Sequence, residues 1–549
     1  MKPTRRNFIQ SLGLGVAGIT VSGTATAMTS GLNSENTDDQ ALFIGDNIAV
    51  TKTQYGPVRG FILRGIHQYR GIPYGADTSG ENRFMPPKPP KPWKENYAAL
   101  WWGNTAPQIM DNRYGNVTAS FVDHWNYDDV SEDCLKLNVW TPAIDSKKRP
   151  VLVWLHGGGY TNGNAIEQDG YMGENLARFG DMVFVSINHR LGPLGFSQLS
   201  SVGGHAASGN VGSLDMVAAL EWVKTNIANF GGDAGNVTIM GQSGGGSKVT
   251  TLLNMPSAKG LFHKAVVLSG GSLEGQNMEY AEKLGAEIMK VAGLSSGQID
   301  KLQALSWREY IDVANKATEN MRDEAQKMGM SRGGFGPVAD GHYLNDKAYF
   351  TSKDHFSADI PVIICSTFNE FSPSRTDAEL EKITNAEVVE KIKPRFGDKS
   401  ADIVKAYAEN FPDARPVELW SMIISNRSRA IALADAKHSQ GKAPVYVAWY
   451  GWQPPLFDGR LRAFHCDDIC FWFYNTDLML TQTGGGSRPR ALSEKMATSL
   501  LSFMRTGNPA KSGLKSWKPY TSVNGETMVL DDEPELMNDP DREARKSLS

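Results

Sequence analysis

Apolar residues along this chain fall into short runs separated by glycine-rich or charged segments. The runs at 137–140, 151–155 and 182–187 are rich in β-formers and predict short strands, as do 360–364 and 444–449. Alternating runs at 48–58 and 61–69 predict N-terminal hairpin strands. Within 213–229, Met216, Leu220, Val223 and Ile227 recur at helical spacing, and about 276–330 and 376–440 read as helical with charged faces. Between 83 and 93, Pro86, Pro87, Pro89, Pro90 and Pro92 impose extended surface chain. Strand, helix, strand, glycine turn and helix in succession is the rhythm of an α/β protein, a mostly parallel sheet covered by helices.

Composition narrows the class. A chain of 549 residues, 40% hydrophobic and 21% charged, has the balance of a soluble globular enzyme. Its net charge of −4, or −7 without the basic residues of 1–27, carries no footprint for nucleic acid. Cys134, Cys365, Cys466 and Cys470 are too few for a disulfide scaffold and lack zinc-site spacing. They read as small buried apolar residues, and Cys466 and Cys470, four apart, would be poorly placed for a disulfide on one helix. No metal or other cofactor is implied.

Residues 1–27 read as a targeting segment. Arg5-Arg6-Asn7-Phe8-Ile9 is a twin-arginine pattern, a modest apolar run follows from 12 to 21, and Ala25-Thr26-Ala27 offers a cleavage site. The run is shorter than the ~20 residues that span a bilayer. The expectation is export to the periplasm or beyond, with no stable membrane insertion, a flexible linker at 28–44 and one domain over 45–549. The sequence does not fix the oligomeric state.

The chemistry concentrates at Gly241-Gln242-Ser243-Gly244-Gly245, entered from a β-branched run at 237–239 and followed by residues able to open a helix. This is the layout of a nucleophile elbow, a strand-to-helix turn that exposes a strained serine. With 56 glycines in the chain the pattern alone is not specific, so the partners decide. The 151–155 run ends in His156-Gly157-Gly158-Gly159, a loop able to offer backbone N–H groups to an oxyanion. Among ten histidines, His465 lies late in the chain, where the order serine, acid, histidine places the base. Glu370 follows the 360–364 strand at its carboxyl end, and Asp340 and Asp468 are rival acids.

These segments together resemble the type-B carboxylesterases, the family of cholinesterases and bacterial para-nitrobenzyl esterases on the α/β-hydrolase fold. The resemblance runs from about Tyr69 to Arg542. It includes Glu132-Asp133-Cys134-Leu135, Asn188-His189-Arg190-Leu191-Gly192 and Phe335-Gly336-Pro337-Val338-Ala339-Asp340-Gly341. It implies N-terminal hairpin strands, large helical insertions and hydrolysis of small-molecule carboxylic esters through an acyl-enzyme. It further implies Ser243 as nucleophile, Glu370 as acid, His465 as base, and the N–H groups of Gly158, Gly159 and Gly244 as the oxyanion hole. Tyr160, Phe464 and the 328–335 segment would line the substrate pocket, and Arg332 would receive any acidic substrate. The chain departs from the family at Asn369-Glu370-Phe371, where Asp-Glu-Gly is usual, and at Gly244, where alanine is commoner. His465-Cys466 is similar to tannase-like esterases, but Gln242 precludes their disulfide. The same triad serves lactone, carbamate or amide hydrolysis, and non-catalytic binding proteins share the fold; those lose the serine or histidine kept here.

Overall fold

Val151, Val153 and Leu155 face one side of their strand, and Leu152 and Trp154 the other; all five are fully buried, in two different hydrophobic clusters. A strand with apolar packing on both faces belongs inside a sheet sandwiched between helices. The computed structural model describes residues 40–109, 121–122, 129–330, 333–344, 348–425 and 427–548. Numbered in chain order, its strands are β1 (Leu42–Phe43), β2 (Val50–Thr53), β3 (Gly56–Arg59), β4 (Phe61–Leu63), β5 (Ile66–Pro73), β6 (Tyr97–Ala98), β7 (Lys136–Thr141), β8 (Arg149–Leu155), β9 (Val183–Ile187), β10 (Gly232–Gln242), β11 (Lys264–Leu268), β12 (Val362–Thr367), β13 (Val445–Tyr450), β14 (Glu526–Leu530) and β15 (Glu535–Asn538).

Twelve of these form one sheet in the order β1-β4-β5-β7-β9-β8-β10-β11-β12-β13-β14-β15. From β9 to β14 every pairing is parallel, and the remaining pairings toward both edges are antiparallel. The separate β2-β3-β6 sheet holds the rest of the N-terminal chain. Helix α1 (Val211–Asn226) covers one face through Met216, Leu220 and Val223. Helix α2 (Gly244–Leu252) leaves the end of β10, and α3 (Ser428–Ser439) precedes β13. Helix α4 (Ser487–Thr506) covers the other face through Leu500 and Phe503. Helical insertions, including Met278–Val291, Trp307–Asn320 and Asn385–Phe396, carry two clusters of their own.

The 48–58 and 61–69 runs form the expected hairpins, β2 with β3 and β4 with β5, each pair antiparallel. The predicted strands and the 213–229 helix appear with shifted ends, and three local expectations change. Leu42–Phe43, inside the expected linker, pairs with Leu63 and Ile62 at the sheet edge. Arg83 and Phe84, inside the expected surface segment, are buried, because Arg83 makes a two-pronged pair with Glu132 at 2.7 and 2.6 Å. Cys466 and Cys470 share no helix: Cys466 lies outside the Ile469–Trp472 helix with φ 78° and is only half-buried, so it is no core residue.

The Arg190 motif is architectural as well. Its guanidinium grips Asp215 of α1 at 2.8 and 2.6 Å, and its backbone N–H donates to the same carboxylate at 3.0 Å, with both side chains buried. Removing one partner strands a charge in a dry interior. Asp215→Ala should therefore lose about 3–5 kcal/mol of stability in chemical denaturation. A loss below about 1 kcal/mol would contradict this reading.

Candidate active site

β10 ends at Gln242, and Ser243 then takes φ 57° and ψ −122°, a conformation that costs an L-residue backbone strain. The strain is held by packing. Ser243 donates its N–H to the Leu268 carbonyl of β11 at 2.8 Å. A Cβ on Gly245 would stand 2.1 Å from the Leu155 carbonyl of β8, so only glycine lets α2 start this close to the sheet. Gly244 is tighter against the glycine loop: its Cβ would meet the Gly159 backbone at 2.2–2.4 Å. The family's commoner alanine does not fit this arrangement, in which Gly244 packs directly on the Gly159 backbone.

His465 and Glu370 converge on the serine from β13 and β12. A cavity of about 340 Å³ is lined by Ser243, Gly159, Gly244, Glu370 and His465 together. His465 Nδ1 lies 2.5 Å from Glu370 Oε2, and the His465 backbone N–H donates to the Glu370 carbonyl at 3.1 Å. Glu370 Oε1 accepts the Thr367 N–H at 2.9 Å. Burial alone would push the Glu370 carboxyl up, but the His465 charge, its hydrogen bond and the Thr367 amide more than offset this and hold it below the ordinary range. The rival acids are occupied elsewhere. Asp340 Oδ1 accepts the N–H groups of His342, Tyr343 and Leu344 in a turn, and Asp468 Oδ2 accepts the Trp472 indole at 3.1 Å. Two larger hollows, of about 420 and 410 Å³, contain none of Ser243, Glu370 and His465.

The departures from the family acquire contacts. Phe371, in the glycine position, is 60% exposed at the cavity and stacks on the His465 ring with centroids 5.6 Å apart. Gln242 Nε2 lies 3.2 Å from His465 Nε2, and the Cys466 thiol donates to Gln242 Oε1 at 3.3 Å. A hydrogen bond thus joins the residues beside the serine and the histidine.

Of the expected pocket residues, Tyr160 lines the cavity, its hydroxyl 3.0 Å from Thr251 Oγ1. Met330 and Phe335 line an adjoining hollow that Tyr160 also borders. Phe464 does not line the cavity. It is fully buried against Val122 and Leu461, with the Arg375 guanidinium 5.0 Å from its ring, because neighbours in a chain project to different sides and His465 takes the cavity side. Arg332 lies outside the described residues. Instead, Arg427 and Arg429, at the start of α3, stand in the wall. Arg427 is engaged by Asp541 and by Thr527 Oγ1 at 2.6 Å.

Nothing in the motif spacing points to Lys248, which is fully buried in α2 with Nζ on the His156 carbonyl at 2.9 Å; its apolar-face position in a helix against the sheet is the one available signal. Asp468 is another buried ionisable group near the site. Burial first, then repulsion from Glu370, raises its carboxyl from 3.8 to about 7. The folded state thus holds this proton more tightly than the unfolded chain. The resulting stability is full below the unfolded value and is lost as pH rises through about 7. Asp468→Asn should accordingly unfold at a higher temperature than the wild type near about pH 9, with the gain shrinking near about pH 5. An equal difference at both pH values would refute the raised carboxyl.

Comparison with known proteins places the chain in a family. The sequence model of the carboxylesterase family matches residues 47–548. Para-nitrobenzyl esterase of Bacillus subtilis is 33% identical over 507 residues, covering 91% of this chain and 98% of that protein. Phenmedipham hydrolase of Pseudarthrobacter oxydans is 30% identical over 493 residues, covering 88% and 95%. Among solved structures, a Clostridium hathewayi esterase that can hydrolyze aliphatic aromatic polyesters superposes with a TM-score of 0.80 at 32% identity, covering 92% of this chain and 99% of its own. A Geobacillus stearothermophilus carboxylesterase gives 0.74 at 32% identity, covering 91% and 100%. With its parallel sheet, its elbow and these relatives, the chain belongs to the carboxylesterase family and is a carboxylic ester hydrolase on the α/β-hydrolase fold.

Proposed function

We propose that this protein cleaves carboxylic esters through an acyl-enzyme on Ser243, with His465 as the base and Glu370 as the acid that orients it. The observation that carries the proposal is the His465–Glu370 pair, 2.5 Å apart, in the wall of the cavity that holds the strained serine. His465 takes the Ser243 proton as the hydroxyl attacks the ester carbonyl, and returns it to the leaving alcohol. Glu370 holds the imidazole and offsets the positive charge it acquires. The N–H groups of Gly158, Gly159 and Gly244 receive the oxyanion, and water resolves the ester on Ser243. The exposed Phe371 ring and Tyr160 favour esters with an apolar or aromatic part.

An organophosphate should inactivate the protein in one-to-one stoichiometry and label the peptide that contains Ser243, with an activated aryl ester showing a burst of alcohol release. Stoichiometric label on any other residue would dismiss the assignment. The proposal extends to location: Arg5-Arg6 and the small residues at 25–27 support twin-arginine export to the periplasm or beyond. Residues 1–39 lie outside the described residues. Fractionated cells should hold a processed form outside the cytoplasm, and Arg5→Lys with Arg6→Lys should retain it inside; unchanged distribution would remove the export reading.

A further inference from the structure

The reaction above leaves Lys248 without a role, yet a lysine is costly to bury. Its side chain sits one turn into α2, fully buried, with Nζ donating to the His156 carbonyl at 2.9 Å and reaching the Gly157 carbonyl at 3.5 Å. The Gly157 carbonyl also faces His156 Nδ1 at 3.0 Å, and since a carbonyl only accepts, that nitrogen carries the proton. Both carbonyls belong to peptides at the root of the glycine loop. In a trans peptide the N–H points opposite to the C=O. No described bond in the chain is cis, so a Gly157 carbonyl turned toward Lys248 sends the Gly158 N–H the other way.

We propose that Lys248 is a positioning residue for the oxyanion hole, fixing the 156–157 and 157–158 peptides so that the Gly158 N–H is presented to the reacting ester carbonyl. This rests on the oxyanion role proposed above for Gly158. Two effects act together. The two carbonyl contacts help fix the planes of the loop's peptides, together with His156 Nδ1 on the Gly157 carbonyl and the Thr161 and Asn162 N–H groups on the Gly158 carbonyl. A cationic donor on a carbonyl also polarises the amide, making its N–H a stronger donor toward the oxyanion. Burial pushes the ammonium down to about 7, Glu167 countering in part, and both protonation states retain N–H donors for these carbonyls. The buried His156 and His189, stacked 5.2 Å apart, are both held well below the usual histidine range, first by burial and then by the Lys248 charge.

A lysine that only fills space would be replaced without loss by methionine, which is similar in length but has no donor. The test compares wild type, Lys248→Met and Lys248→Gln with 4-nitrophenyl butyrate, and with a trifluoromethyl ketone that forms a tetrahedral adduct on a serine. Lys248→Met should lose about 10–100-fold in kcat with KM within about threefold, and its ketone Ki should rise by the same factor as kcat falls. Lys248→Gln, which keeps a neutral donor on a shorter stem, should lie between. A folded Lys248→Met enzyme with kcat within about threefold of wild type would overturn the proposal, as would a kcat loss with unchanged Ki. If the methionine variant does not fold, the same paired readout on Lys248→Gln decides. A ketone that fails to inhibit the wild type would instead bring down the Ser243 mechanism, and this proposal with it.

Discussion

Ser243→Ala is expected to lower kcat on an activated aryl ester by about 10⁵–10⁶-fold, to abolish the burst of alcohol release and to leave the fold intact. The size follows from what the hydroxyl does. Without it, neither His465 nor Glu370 has a nucleophile to serve, and the remaining catalysis is whatever the glycine amides and substrate binding supply. The variant should also be at least as stable as the wild type. The strain at φ 57° is imposed by the packing of Gly244 and Gly245 against the glycine loop and β8, and not by the hydroxyl, so nothing that holds the elbow is removed. Rapid-quench and steady-state kinetics decide the chemistry, and thermal unfolding decides the fold. A burst that survives in the alanine variant would move the nucleophile elsewhere.

The sheet was readable wherever apolar side chains form a run with clear stops, as in β8, which is followed by His156 and three glycines. β11 and β14 were not: each opens on a charged residue, Lys264 or Glu526, which blurs the start of a run no longer than β9. At the site, backbone-defined features were legible: the elbow and the glycine loop are encoded by residues that only such backbones require. Contacts between side chains distant in sequence were not. Phe464, beside His465 in the chain, was expected in the pocket, while the ring that stacks on the imidazole is Phe371, from the loop after β12. The amide of Gln242 beside His465 and the ammonium of Lys248 behind the glycine loop are likewise consequences of how β10, α2 and the β13 loop pack. No spacing rule reports that packing.

The proposed acid is the member of the proposed triad whose local sequence departs furthest from the family, so Glu370→Gln carries most weight. It should lower kcat by about 10⁴-fold with KM within a few-fold and the fold retained. Glu370 Oε1 accepts the Thr367 N–H at 2.9 Å, and a glutamine oxygen can keep that bond. The amide nitrogen then takes the place of Oε2, 2.5 Å from His465 Nδ1 in the wild type. A donor there makes Nδ1 the acceptor and puts the ring proton on Nε2, so the nitrogen that should take the serine proton already holds one. The substitution also removes the charge that stabilises the imidazolium. Stability supplies a second readout. Because the Glu370 carboxyl is held below its ordinary range, its contribution is present above the unfolded value and is lost as pH falls through the folded one. The glutamine variant should therefore show a flatter loss of stability on acidification than the wild type. Near-normal turnover with an unchanged acid limb would mean that another carboxylate orients His465, and the buried Asp468 would be the next to replace.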